Sequence, residues 1–509
     1  MSRTNGAVPE PPQARPRSVV WVVVLASIGA FVTSLDVVVV STALPSLREH
    51  FSANLSDLEW TINGYNLAFA CTMLTAAAIG DRLGKRKIYV TGLLLFVAAS
   101  IGCALAGDTN ALITARVVQG LSAAAVLPLS LSLVSDAFPA EKRGAAIGIW
   151  GAITGLGVAA GPVVGGAIMH GLDRQWIFWI NVPVGLATAA LCFAVMPETF
   201  GQHSAIDLVG LSLAALGLLG LTWAAVRAPS IGWGDTEVIA TLAAGVTLLL
   251  AFLAWERRTS APMVPLHYFR NRGFATANGV ALFLMFSLIG SLFLIAQMFQ
   301  VGLGHDPLGA GLRMLVWTGM PMLGAPLAGG LSDKLGNKPF LVSGMLLQGL
   351  GLLWLGLEAK ADVSFGDLLL PLIVSGLGIS FVFPTMANAV VASVSLDESG
   401  LASGVNNTVR EAGGVFGVAV LAAVFAAHGG YTSTHAFMHG FRDAEFVAAA
   451  VAIAGAAIAI LHPGRPAAQS VAQVVTELVS VPDSLGGDES RSVGGYTSTD
   501  GVISGGRRS

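Results

Sequence analysis

Charge is scarce in this chain of 509 residues: Asp, Glu, Lys and Arg together make up 11% of it, and the net charge is −3. Soluble proteins carry roughly 25% charged residues, so a string of water-exposed domains is excluded, as is the basic face a nucleic-acid partner requires. Cysteine is nearly absent. Cys71, Cys103 and Cys192 each lie inside an apolar run without metal-ligand spacing, and packing is their expected role. Ten-residue segments of alternating polarity are also missing, which excludes a transmembrane barrel.

What the chain has instead is hydrocarbon and glycine, with a mean hydropathy of +0.73 and 62 Gly. Most of its apolar runs reach the roughly 20 residues that a spanning helix needs. The first run follows Arg15 and Arg17 in the manner of a signal peptide. It is too long for one, contains Asp36, and ends at Pro45 without a small-residue cleavage pattern, so a retained first span is expected. Breaks in the pattern give spans near 19–43, 58–79, 88–107, 111–134, 145–169, 177–197, 207–227 and 238–256. A second series follows near 273–301, 309–331, 339–358, 367–394, 403–427 and 441–462, making fourteen.

An even count places both ends on one side, and the basic residues say which. Arg3, Arg15, Arg17, Arg82, Lys85, Arg86, Lys87, Lys142, Arg143, Arg257, Arg258, Arg270, Arg272, Lys334 and Lys338 share the side of the N-terminus, against Arg48, Arg174, Arg227, Arg313, Lys360 and Arg442 opposite. The positive-inside bias then makes both termini cytoplasmic and the protein a multi-pass component of the cytoplasmic membrane. Residues 463–509, rich in Ser and Gly without a sustained apolar face, read as a disordered cytoplasmic tail.

Within this hydrocarbon Asp36 is expensive. A carboxylate near the middle of a span costs about 2.5–3.5 kcal/mol on insertion scales, so it is expected to face a wet cavity or a polar partner and to serve ions, protons or charged ligands. Arg116 has a matching depth: about 7 Å beyond the middle of the first span for Asp36 and about 9 Å on the same side for Arg116 in the fourth, at 1.5 Å per residue. The pair is either a site for a proton or cation, or a strut that fixes packing. Arg410 and Glu411 form a second intramembrane pair in the thirteenth span; neighbours on a helix point about 100° apart, so they cannot simply neutralise one another. Glu411 is a candidate second carboxylate for proton or substrate, or part of a gate strut. Asp207 reads as a helix cap, and His428, His435 and His439 as solvated residues of one loop; no metal is expected.

The loop after the second span repeats after the tenth. Residues 77–86 and 329–338 share their acidic, Gly and basic positions, with Asp81 matching Asp333. Two six-helix bundles, 19–198 and 273–462, joined by a two-helix insert at 207–256 and preceded by a tail at 1–18, are the simplest division. Repeats of this kind set a substrate site near the midplane between the halves.

Four motifs resemble the major facilitator superfamily, and within it the fourteen-spanner drug:proton antiporters: Leu35-Asp36 through Ala43-Leu44-Pro45, Asp81-Arg82-x-Gly84-x-Arg86, Arg116-x-x-Gln119-Gly120, and Gly157-x-x-x-Gly161-Pro162-x-x-Gly165-Gly166. Ala77 departs from the Gly usual in the loop motif. The resemblance covers about 19–462 and implies an all-α polytopic membrane protein with the major facilitator fold. It implies that Asp36 and Arg116 couple protons and that Asp81, Arg86 and Asp136 gate the cytoplasmic side; Glu411, from its intramembrane pair, is a further candidate for proton coupling, and Arg410 from that pair and Asp333 from the repeat are further gate candidates. Asp81 is then expected to face the start of the span near Ser403, and Arg86 to pair with Asp136, while Lys85 and Lys87 are topogenic. Gly157, Gly161 and Gly165 form a smooth face on which another helix can lie, with Pro162 bending it. Tyr65, Asn66, Met285, Phe286, Gln297 and Phe381 are candidate pocket residues, whereas Trp60 reads as an interface anchor. The expected function is proton-coupled efflux of lipophilic, cationic drugs or antibiotics, by a monomer that needs no cofactor beyond a proton gradient. A dedicated exporter of one endogenous metabolite is the alternative, and a non-transporting sensor the reading from another class. No enzyme signature is present.

Overall fold

A computed structural model describes residues 16–138, 140–201, 207–260, 262, 264–394 and 398–464. The expected tail thus falls, from residue 465 on, outside the described residues, as do residues 1–15. Fourteen helices are long and apolar enough to cross a membrane, and the protein is a multi-pass membrane protein.

The first bundle comprises α1 (Pro16–Phe51), α2 (Leu55–Leu83), α3 (Lys85–Ala104), α4 (Thr109–Ala137), α5 (Ala140–Gly171) and a broken span of α6 (Trp176–Trp179) and α7 (Asn181–Val195). A hairpin of α8 (Leu208–Ile231) and α9 (Thr236–Glu256) follows. The second bundle comprises α10 (Arg272–Gln297), which ends in a π turn (Met298–Gly302), α11 (Pro307–Thr318), α12 (Met320–Leu335), α13 (Asn337–Leu357), α14 (Phe365–Val391), α15 (Ser399–His428) and α16 (Thr434–Ile460). Gly319 and Pro321 interrupt α11 and α12, which together make one span. We call the face where α1 begins and α16 ends the basic face.

Local chemistry sets the ends. Asn54 and Asp57 exchange side-chain and backbone bonds at 3.0 Å as a capping box for α2. Asp108 accepts from Ala111 N at 2.9 Å to open α4. Asp207 accepts from Gly210 N at 2.8 Å and also from Trp255 Nε1 at 2.8 Å, so the cap expected from sequence also ties α8 to α9. One expectation is corrected: α1 does not stop at Pro45 but runs on to Phe51. Pro45 has no N–H to offer the preceding turn, and in that loosened turn Thr42 O accepts from Gln300 Nε2 of the π turn at 2.7 Å.

The two bundles meet where α5 lies on α11 and α2 on α15, while α8 packs against α2 and α15 and α9 packs on α8. Glycine permits the first contact. A Cβ on Gly311 would strike the carbonyl of Pro162, and one on Gly166 would come within 2.8 Å of Leu308 Cα. Toward the basic face the same helix is bare: Gly148, Gly151 and Gly155 have nothing within 4 Å, and Leu323 and Leu327 of α12 are 70% and 67% exposed. Along α5 the bundles are therefore closed on the far face and parted on the basic face, while α2 and α15 stay in contact, a Cβ on Gly404 coming within 2.6 Å of Leu74.

Gly311→Leu forces α5 off α11, an overpacking that costs about 1–3 kcal/mol. The distance between spin labels on the far-face ends of these helices lengthens; an unchanged distance distribution contradicts the contact.

Candidate functional site

Asp36 is 1% exposed and Arg116 is 0% exposed, and Arg116 Nη1 meets Asp36 Oδ2 directly. The depth match on two helices is realised as contact. Arg116 and Gln119 stand three apart on α4 and so share a face. Arg116 Nη1 donates to Gln119 Oε1 at 2.7 Å, which turns Gln119 Nε2 toward Asp36 Oδ1 at 2.9 Å and Ser100 Oγ at 2.9 Å. Asn181 adds a third donor. It opens α7 after the break at Ile180, and its Nδ2 reaches Asp36 Oδ1 at 2.8 Å.

The guanidinium is held from two further sides. Its Nε donates to Thr61 O at 3.2 Å, and its plane sits 4.4 Å from the centre of the Tyr65 ring. Gly120 makes this possible, because a Cβ there would strike the Tyr65 carbonyl. The motif Arg-x-x-Gln-Gly thus supplies a cation, an orienting amide and the close approach of α4 to α2. Burying two ions is costly, and here nearly every polar atom of the pair is answered; among the described residues Arg116 Nη2 alone of its atoms lacks a partner.

The glycine motif of α5 seats the helix that carries Asp36. Cβ atoms at Gly157 and Gly165 would come within 2.7 Å of Phe31 O and 3.2 Å of Thr42 Cβ, and one at Gly161 would run into Val38, all on α1. Gly166, next in line with Pro162, faces α11 instead. One stripe therefore positions the carboxylate and closes the far face.

On the basic face the pairing differs from expectation. Lys85, not Arg86, takes Asp136, at 2.7 Å, and it also lies 3.5 Å from Asp81. Arg86 turns to the segment after α7, donating to Met196 O at 2.8 Å and lying 3.4 Å from Glu198. Gly84, with φ +109°, ends α2 so that α3 begins at Lys85, and consecutive side chains then diverge by about 100°. Asp81 does not face the start of α15: its partners among the described residues are Lys85 and Gly201, both in its own bundle. Arg410 likewise does not bridge the halves, since it donates to Asn407 at 2.9 Å and lies 4.4 Å over Phe383. The side chain of Asp333 lies outside the described residues.

Glu411 is half-buried on α15, has no hydrogen-bond partner among the described residues, and acts electrostatically on Tyr65 together with Asp36 and Arg116. The six expected pocket residues do not gather. Tyr65 reaches the carboxylate site, and Asn66 and Met285 are buried. Phe286 gives its backbone to the contact with Gly417, and Phe381 packs edge-on at 5.9 Å against Phe340 of α13. Gln297 is fully buried and bonded to Phe293 O at 2.8 Å and to the Tyr431 hydroxyl. Aromatic content alone did not say which face of each helix these residues occupy.

Several polar groups were not anticipated. Besides Asn181 and Ser100, the far face holds Arg48 over the Tyr431 ring at 3.7 Å beside the buried Glu59, and the second bundle buries Glu445, which accepts from Ser291 Oγ at 2.8 Å. Glu59 and Glu445 meet the criterion that singles out Asp36, an acid within or at the edge of an apolar run.

The family model described as Major Facilitator Superfamily matches residues 26–418 and 280–482. The chain belongs to the major facilitator superfamily. Its relatives in the superfamily include the tetracenomycin C resistance and export protein of Streptomyces glaucescens, 33% identical over 81% of this chain and 77% of that protein. A riboflavin transporter of Clostridioides difficile is 29% identical over 86% of this chain and 96% of its own length. In fold the chain is similar to the xylose transporter XylE from E. coli, with a TM-score of 0.61 and 15% identity over 87% of this chain and 97% of that one.

Asp36→Asn keeps the shape of the site but strands the buried Arg116, and losing one partner of such a pair costs about 3–5 kcal/mol. The thermal unfolding midpoint in detergent falls, and adding Arg116→Gln recovers part of it. Equal stability of Asp36→Asn and the parent contradicts the ion pair.

Proposed function

We propose that this chain is an antiporter of the cytoplasmic membrane, with both termini in the cytoplasm, that exports lipophilic cations such as drugs or antibiotics in exchange for protons. The observation that carries the proposal is the buried Asp36 ringed by donors from Arg116, Gln119 and Asn181, in a superfamily member whose relatives include a resistance and export protein. A proton on Asp36 removes the charge that strengthens its three accepted bonds and adds a donor to a ring of donors, so those bonds weaken and α1 is loosened from α4 and α7.

Coupling to substrate runs through Arg116. With Asp36 ionised, Arg116 is neutralised, and Glu411 with the ring of Tyr65 offers a cation a counter-charge and an aromatic face. With Asp36 protonated, Arg116 carries uncompensated charge beside that same ring and repels the cation. Proton and substrate therefore exclude one another although they occupy different carboxylates. The parted basic face admits substrate from the cytoplasm, and the α5–α11 contact opens when the proton arrives from outside.

A dedicated exporter of one metabolite is a second reading, favoured by relatives named for a single compound each. Everted vesicles carrying a pH gradient separate the two. Broad export predicts that several lipophilic cations collapse the gradient, while a dedicated exporter responds to one compound. Asp36→Asn, inserted at the parental level, abolishes the response; persistence of proton-driven efflux in that variant overturns the coupling.

A further inference from the structure

Between the hairpin and the bundle seam lies a cavity of about 320 Å³, walled by α2, α8, α9 and α15 and roofed by the segment that leads from α9 into α10. Leu74, Leu218, Phe252 and Val409 line its walls, and Leu266 and Phe269 its roof. Its level in the membrane follows from the chain: α8 starts at the basic face, α9 ends there, and the lining positions of α2 and α15 lie in their basic-face halves. The lining has no charged side chain, and its one hydroxyl, Thr408, is turned back on Gly404 O at 3.2 Å. No charged group in the cavity can anchor the head of a polar or cationic ligand. It fits hydrocarbon alone.

The rim supplies what the interior lacks. Arg257 and Arg258 follow the last turn of α9, and Arg270 and Arg272 follow Phe269; all four are exposed and none makes an ion pair among the described residues. The nearby acid Glu256 is buried beneath the roof, its Oε2 accepting from Val264 N at 3.0 Å. A hydrocarbon slot under four free guanidinium groups at the membrane surface has the charge pattern of an anionic lipid.

We infer that this cavity is a binding site for an anionic phospholipid of the basic-face leaflet, with an acyl chain between the hairpin and α2 and α15 and the phosphate on the arginines of the 257–272 segment. The hairpin then does more than lengthen the chain. Together with the lipid it forms one wall of the α2–α15 seam, so lipid occupancy bears on how these two helices move.

The full-length protein, delipidated in detergent and titrated with phosphatidylglycerol or phosphatidylcholine under native mass spectrometry, tests this. Phosphatidylglycerol is retained in preference to phosphatidylcholine. Replacing Arg257, Arg258, Arg270 and Arg272 by Gln weakens its retention about tenfold or more, and replacement by Lys restores most of it. Ala214→Phe, which fills the slot without altering charge, also lowers retention. Equal retention of the two lipids, or of phosphatidylglycerol by Ala214→Phe and the parent, overturns the site. Displacement of bound phosphatidylglycerol by tetraphenylphosphonium from the parent but not from Glu411→Gln would assign the loss to the central site and leave the lipid site standing; displacement from both overturns it in favour of a substrate slot.

Discussion

A carboxylate in the apolar middle of a helix bundle is tolerated only if its charge and its lone pairs are answered, and much of this molecule is arranged around that requirement at Asp36. One helix provides the acid, a second the cation and an orienting amide, a third another amide. To bring these donors within reach, α4 must lie almost on the backbone of α2, and α5 on that of α1, which is why Gly120, Gly157, Gly161 and Gly165 have no room for a side chain. The same α5 stripe continues into Gly166 and the closure against α11, so the geometry around Asp36 and the state of the far face are mechanically linked through one helix.

That linkage gives the antiport proposal its physical content. A proton on Asp36 acts on the bonds that hold α1, α4 and α7 together, and α1 is also the helix whose Thr42 carbonyl is bonded to Gln300 across the bundle boundary. The far-face contacts of Arg48 with Tyr431 and of Tyr431 with Gln297 lie at the end of the same helix. The pairings of Lys85, Arg86 and Arg410 toward the basic face, by contrast, each stay within one bundle.

The fourteen spans and the depth of Asp36 and Arg116 were legible in the sequence because apolar length and helical rise leave little freedom. Rotation about a helix axis was less legible. Lys85 and Arg86 are adjacent basic residues, and only the end of α2 at Gly84 decides that the first turns to Asp136 and the second to Glu198. Gln297 and Phe381 have the composition of pocket residues but face a far-face hydrogen bond and α13. Asn181 carried no signal at all, since its role depends on a break between two short helices that hydropathy runs together. Pro45 looked like a terminus; the helix absorbs it, and the loosened turn is used for a bond to the other bundle.

The claim at the centre is that a proton on Asp36 and a cation beside Glu411 and Tyr65 exclude one another. The direct measurement is proton release from purified protein in weakly buffered detergent solution when a lipophilic cation such as tetraphenylphosphonium is added. The account predicts release from the parent and none from Asp36→Asn, whose uncompensated Arg116 also weakens its binding of the cation. Release of equal size from Asp36→Asn would contradict it.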